Sequence, residues 1–279
     1  MSLLFKARKP LLCALLAPLA AVVATAAMAD ATLDKIQERK QVTVGVLLSG
    51  GPFGAIYPAN QQPVGMNVDM ANDLGRQLGA KVELVSVLPA NRVQFLQQGK
   101  VDLLIANMEW NTDRDKLLGH VPTPFYMVGG TAVVSKDSPI TTWEQLKDQP
   151  VCTSQGSSYT QPLIKLGVDL KAFKSSSESL LALRGNNCVA AVHDATLVNP
   201  LLAKGGEWSG YRAISPELNP APSVIWTRPG ETDTQARLDS IVKGWHRSGW
   251  LIEREKANNI TPASPALKRL QQENQATGA

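Results

Sequence analysis

The chain has 279 residues, with 28 Lys and Arg against 24 Asp and Glu, a formal charge of +4, and three cysteines. Its 44% hydrophobic and 19% charged content excludes a disordered polar chain, and its length excludes a disulfide mini-scaffold while allowing one large domain or two modest ones. The positive balance suggests nucleic-acid binding until the charges are located along the chain.

Three of them lie at the very start. Lys6, Arg8 and Lys9 precede an uncharged apolar run from Leu11 to Val23, and Ala27-Met28-Ala29 follows with the small-x-small pattern of a signal-peptidase site. Residues 1–29 read as a secretory signal peptide, cleaved after Ala29. A spanning helix needs about 20 apolar residues, more than this run holds. Cys13 follows Leu12, where a lipidation signal wants a small residue. Cleavage leaves 250 residues carrying a formal +1. No later stretch clusters Lys and Arg with aromatics, so the expectation is a periplasmic, monomeric protein that binds no nucleic acid.

The mature chain then alternates. Val42–Leu48 reads as a buried strand before the turn Ser49-Gly50-Gly51-Pro52. Val68, Ala71, Leu74 and Leu78 recur at helical spacing and Gly79 ends that helix. Lys81–Val87 reads as a strand, Asn91–Gln98 as a helix stopped by Gly99, and Val101–Ala106 as a third strand. This is the grammar of a parallel sheet covered by helices. The pattern restarts with a strand at Val151–Thr153, a helix over Leu180–Arg184 ending at Gly185, and a strand over Cys188–Val192. Gly130–Ser135 and Val224–Arg228, β-rich and flanked by Gly or Pro, are candidate crossings between two lobes. Thr232–Ala257 reads as a long amphipathic helix broken at Gly249, and the polar tail from Asn258 as a fraying end. Cys152 and Cys188 are an even pair in an exported chain, so a disulfide is expected. Neither a Cys-x-x-Cys pair nor clustered histidines suggest a metal or cofactor.

Several phrases, in order, resemble one family. They are Gly65-Met66-Asn67-Val68-Asp69-Met70, Leu96-Gln97-Gln98-Gly99-Lys100-Val101-Asp102, Thr112-Asp113-Arg114, Pro122–Tyr126, Gln155-Gly156-Ser157-Ser158 and Val192-His193-Asp194. The chain is similar to the family 3 extracytoplasmic solute-binding proteins, which deliver amino acids to ABC importers. The resemblance implies an α/β, two-lobed type II periplasmic-binding-protein fold, each lobe a mostly parallel sheet flanked by helices, with two hinge crossovers. The division expected is residues 30–132 plus 226–279 for lobe 1 and 133–225 for lobe 2. The partners implied are a free amino acid, polar or charged, and an inner-membrane ABC permease.

An amino acid presents a carboxylate that suits a bidentate guanidinium, and Arg114 stands where the family supplies one. The alternative for Arg114 is an ion pair on a helix surface. Ser157 and Ser158 follow Gly156 at a strand-to-helix turn, where hydroxyls and free N–H groups bind a carboxylate or cap a helix. Asp194 matches the family's ammonium-binding aspartate, or caps the helix that follows. Asn107 would offer a backbone carbonyl. Glu109 departs from the family's usual Thr or Ser; it either faces an extra positive charge on the ligand or pairs with Arg92. Arg92, in an Asn-Arg pair resembling that of members binding polar or acidic amino acids, contacts a ligand carboxylate or forms a structural salt bridge. Phe53 either stacks on the ligand or packs in the core. Two other functions compete with capture. One is a dehydratase of the cyclohexadienyl type on the same fold, with Glu109 as the acid. The other is a ligand-sensing module.

Overall fold

The computed structural model describes residues 30–49, 51–260 and 263–276. The proposed signal peptide lies outside the described residues, so the structure says nothing of it.

Helix α1 (Ala31–Arg39) leads into β1 (Gln41–Leu47), whose Val42, Val44 and Val46 are fully buried. A short hairpin, β2 (Ala55–Ile56) and β3 (Pro63–Val64), precedes α2 (Met66–Leu78), which ends at left-handed Gly79. Strand β4 (Lys81–Val87), helix α3 (Arg92–Gln97), strand β5 (Leu103–Ile105), the single-turn α4 (Thr112–Asp115) and β6 (Gly119–His120) complete the first pass. β1 lies between β4 and β5, parallel to both, with Val44 opposite Leu84 and Leu103. The side chains of one face meet α2 and the later helices in a core that includes Leu74, Leu103, Ile105 and Trp245.

The long strand β7 (Tyr126–Ser135) then opens a second sheet. It is followed by β8 (Pro150–Ser154), α5 (Thr160–Lys165), β9 (Asp169–Phe173), α6 (Ser176–Arg184), β10 (Ala190–Asp194), α7 (Ala195–Lys204), β11 (Tyr211–Ala213) and β12 (Leu218–Ser223). β9, β8 and β10 are parallel. β7 runs antiparallel to β10 and carries β11 and β12 along its other edge. Gly130–Ser135 therefore lies wholly inside the second sheet and is not itself a crossing. The first residues of β7 belong to both halves: Tyr126 pairs with Ser223 of β12, while its ring and Val128 pack in the first core. Cys152 of β8 and Cys188 just before β10 form a disulfide with Cα atoms 5.8 Å apart. It ties two neighbouring parallel strands under α6, among Leu180, Leu183 and Val198.

The chain returns at β13 (Trp226–Thr227), which inserts antiparallel between β5 and β6. Helices α8 (Thr232–Ser248) and α9 (Trp250–Ala257) are separated by Gly249 at φ 76°, where the reversal needs a residue without a Cβ. Trp245 of α8 donates its Nε1 proton to Asp73 of α2 at 2.6 Å, fixing the helix against the first lobe. The tail does not fray as expected. It forms α10 (Pro265–Ala276), with Leu267 and Leu270 buried. The molecule is thus two-lobed, each lobe an α/β layer with a parallel centre and an antiparallel strand contributed where the chain crosses.

Candidate functional site

The sequence-nominated polar residues sit at strand ends that face each other between the lobes. They line, or stand directly behind, a cavity between the lobes that is partly open to solvent.

From the first lobe come Arg92, Asn107, Glu109 and Arg114. Asn111 accepts a hydrogen bond from the Arg114 N–H at 2.9 Å, capping α4 and placing Arg114 in its first turn. The Arg114 guanidinium then reaches across the gap. Its Nη1 donates to Ser158 Oγ at 2.7 Å and to the Glu109 carbonyl at 2.7 Å, and lies 3.4 Å from Glu109 Oε2. Its Nη2 donates to the Gly156 carbonyl at 3.1 Å. The alternative of a surface ion pair with Asp113 or Asp115 is not what is seen; Asp113 pairs with Lys116 and Asp115 with His120.

Glu109 is only 3% exposed. Its carboxylate accepts from the Ser158 hydroxyl and from Arg114, so its cationic partner is Arg114 and not Arg92. Arg92, also 3% exposed, spends its guanidinium on backbone carbonyls: those of Ala106 at 2.6 Å, Asn107 at 3.0 Å and, across the cleft, Gly156 at 3.4 Å. Its Nε has no protein partner. Burial, then the neighbouring Arg114, lowers its pKa to about 10, which still leaves it charged at neutral pH. Asn107, left-handed at φ 45°, accepts from Asn67 Nδ2 at 2.7 Å. Phe53 is buried edge-on against Tyr126, centroids 5.1 Å apart, and also borders the cavity.

The second lobe supplies Ser157, Ser158 and Asp194. The turn from β8 into α5 passes through Gly156 at φ 73°, where a Cβ would meet the Pro89 carbonyl of the opposite lobe at 2.4 Å. Only glycine lets the two backbones approach this closely. Ser157 Oγ accepts from the Tyr159 N–H at 3.2 Å, and Ser158 points at Arg114. Asp194 occupies the cap position of α7, yet its side chain makes no capping bond. It turns to the cavity, where Tyr159 donates its hydroxyl proton to Oδ1 at 2.8 Å. Burial, then the charge of Glu109, raises the Asp194 pKa to about 7.

Sequence reading missed three contributors. Tyr159 orients Asp194, and burial holds its phenol well above the ordinary range. Its position directly after Ser158 in the turn was the available signal. His193 lines the cavity beside Asp194, with Nε2 2.9 Å from Ser179 Oγ, and burial lowers its pKa to about 4, so it is neutral. Ser177 Oγ donates to the Ser49 carbonyl at 2.6 Å, a further bridge between the lobes. Among the described residues no group of His, Cys, Asp and Glu could hold a metal, and no helix is long and apolar enough to cross a membrane.

Chemically, the cleft offers guanidinium and hydroxyl donors opposite a carboxylate acceptor, the two ends that a zwitterion needs. Known proteins resemble the chain as follows. The model of the bacterial extracellular solute-binding proteins, family 3, matches residues 42–257. A glutamine-binding protein of Geobacillus stearothermophilus is 29% identical over 200 residues, covering 70% of this chain and 75% of that protein. The glutamate/aspartate import solute-binding protein of Escherichia coli K12 is 29% identical over 259 residues, covering 87% and 85%. The solved structure of an ancestral arginine-binding protein bound to glutamine superposes with a TM-score of 0.73 at 26% identity, covering 78% of this chain and 97% of that one.

Proposed function

The chain belongs to the bacterial extracellular solute-binding proteins, family 3, and from that membership we propose that it captures a free amino acid between its lobes and delivers it to an ABC permease. It does so outside the cytoplasm, in the periplasm, as a monomer. The two lobes, joined where β7 and β12 cross between them, close on the ligand by a hinge motion. One observation carries the reading: Arg114 of the first lobe meets Ser158 of the second at 2.7 Å, and Ser158 lines the same cavity as the Asp194 carboxylate. The ligand carboxylate takes Arg114 and Ser158, the ammonium takes Asp194 and the Asn107 carbonyl, and Arg92 supports the side-chain end. The relatives named for glutamine, glutamate or aspartate supply the candidates.

The test is a thermal-shift screen with those amino acids and arginine, followed by calorimetry on the hit. Ligands of the native state raise the melting temperature by mass action. Arg114→Ala removes a charged hydrogen-bonding fork worth about 3–4 kcal/mol, a loss of about 10²–10³ in affinity, while Arg114→Lys keeps the charge without the fork. Unchanged binding by Arg114→Ala sinks the assignment. The raised Asp194 beside buried Glu109 favours one other reading, a dehydratase using a cleft carboxyl as proton donor. Conversion of prephenate or arogenate to an aromatic product would support it.

A further inference from the structure

Among the described residues, the charged side chains that line the cavity are Arg92, Glu109 and Asp194. Arg114 stands behind Glu109, 3.4 Å from its carboxylate. Two guanidinium charges therefore meet two carboxylate charges, and with Asp194 ionised the walls sum to zero. The other titratable side chains of the wall are neutral: burial keeps the Tyr159 phenol protonated and the His193 imidazole uncharged.

The cavity also has two different ends. Glu109, Ser157 and Ser158 border both the cavity and an outer groove that holds Arg114, whereas Ser49, Ser176, Thr196 and Leu197 border the cavity alone. Contacts between the lobes close that second end. Ser177 reaches the Ser49 carbonyl, and a Cβ added to Gly51 would lie 2.7 Å from Leu197 Cδ1. With the ligand carboxylate at Arg114 and Ser158 and its ammonium at Asp194, the side chain is left the space towards this end. The polar groups there are hydroxyls and the neutral His193. Arg92 offers no fork to a second carboxylate. Its Nη1 is spent on the Ala106 and Asn107 carbonyls, its Nη2 reaches the Gly156 carbonyl, and its Nε is sealed inside the protein.

We propose that the cavity selects an amino acid whose side chain is uncharged and hydrogen-bonding, the class of serine, threonine, asparagine and glutamine, and rejects acidic and basic ones. Charge balance makes the selection. A zwitterion with an uncharged side chain adds no net charge to an enclosed site that has none. An acidic side chain adds a negative charge that only a proton on Asp194 would offset, and that proton would remove the acceptor of the ligand ammonium. A basic side chain adds a positive charge, while Glu109 is already paired to Arg114 and Asp194 to the ammonium. A charge left uncompensated in a water-poor site carries a large penalty. The inference rests on the amino-acid reading above and narrows it.

Calorimetry on the full chain at pH 8 tests it. At least one of L-serine, L-threonine, L-asparagine and L-glutamine should bind, with L-glutamate, L-aspartate, L-arginine and L-lysine at least about 100-fold weaker than the best of them. A charged amino acid binding as tightly as the best uncharged one overturns the proposal, and so does tightest binding by L-alanine or L-leucine. The isosteric Glu109→Gln chain separates charge balance from shape. It removes one negative charge, so the affinity for L-glutamate relative to that for L-glutamine should rise about tenfold. An unchanged ratio overturns the charge argument. If none of these amino acids binds, the capture reading itself fails and this inference falls with it.

Discussion

Asp194→Asn should make the ligand-free protein more stable and a poorer binder. Asp194 titrates near 7 instead of its ordinary 3.8 because burial, and then Glu109, oppose its charge. The native chain thus keeps a proton that the unfolded chain has released. The contribution to stability is fully present below about pH 4, declines as pH rises to about 7, and is flat above. Ionising such a group at pH 8 costs the fold on the order of 4 kcal/mol at most. If relaxation leaves only a quarter of that, about 1 kcal/mol, the melting temperature of a chain this size moves by about 2–4 °C. Asparagine keeps an acceptor for the Tyr159 hydroxyl at the same place and carries no charge. Its melting temperature at pH 8 should therefore exceed that of the wild type by at least that amount, with the gap closing towards pH 4. Binding of the cognate amino acid should meanwhile weaken about 10–100-fold, the value of one charge-assisted hydrogen bond. Scanning calorimetry from pH 4 to 8 and a titration at pH 8 measure both. Equal melting temperatures at pH 8, or a gap that does not change with pH, would refute the electrostatic argument. The trade is the usual one at a binding site, where a group that the fold holds unfavourably is what the ligand satisfies.

Two further outcomes concern the scaffold. Replacing Cys152 and Cys188 by Ala opens a loop with a sequence separation of 36 and should lower unfolding stability by about 4 kcal/mol in urea, an effect that reductant reproduces on the wild type. Leu267→Ala, at a fully buried position of α10, should cost about 2–4 kcal/mol; no change would mean that the tail frays in solution.

Most of the alternating core was legible in the sequence because its signals are local. Val42, Val44 and Val46 mark β1 by alternation and β-branching, and Gly79 and Gly249 mark helix ends by the conformation only glycine adopts cheaply. Helix α10 was not legible. Its buried leucines, Leu267 and Leu270, are isolated in a polar run, and a helix of 12 residues is marginal until α8, α9 and β7 cover it. β12 was hidden for another reason. Pro220 and Pro222 argue against a strand, yet it is an edge strand whose ladder runs along β7, where missing N–H groups are tolerated. At the site, Arg114, Ser158 and Asp194 could be nominated from the order of short phrases. The partner of Glu109 could not, since Arg92 and Arg114 are both near it in sequence and only the fold decides which guanidinium turns towards it and which is consumed by carbonyls.

The two crossings are not independent tethers. Tyr126 and Met127 of β7 are paired to Ser223 and Pro222 of β12, so the outgoing and returning chains form one hydrogen-bonded ribbon at the point where the lobes join. Two separate flexible linkers would let one lobe swivel, slide and tilt against the other. A ribbon resists shear along its ladder and yields mainly by bending and twisting across its flat face. Lobe movement is thereby reduced to something near a single coordinate, like a door on a strip of leather. On such a path the Ser177–Ser49 and Ser158–Arg114 contacts are made and broken together, and an event at either rim of the cleft is felt at the other.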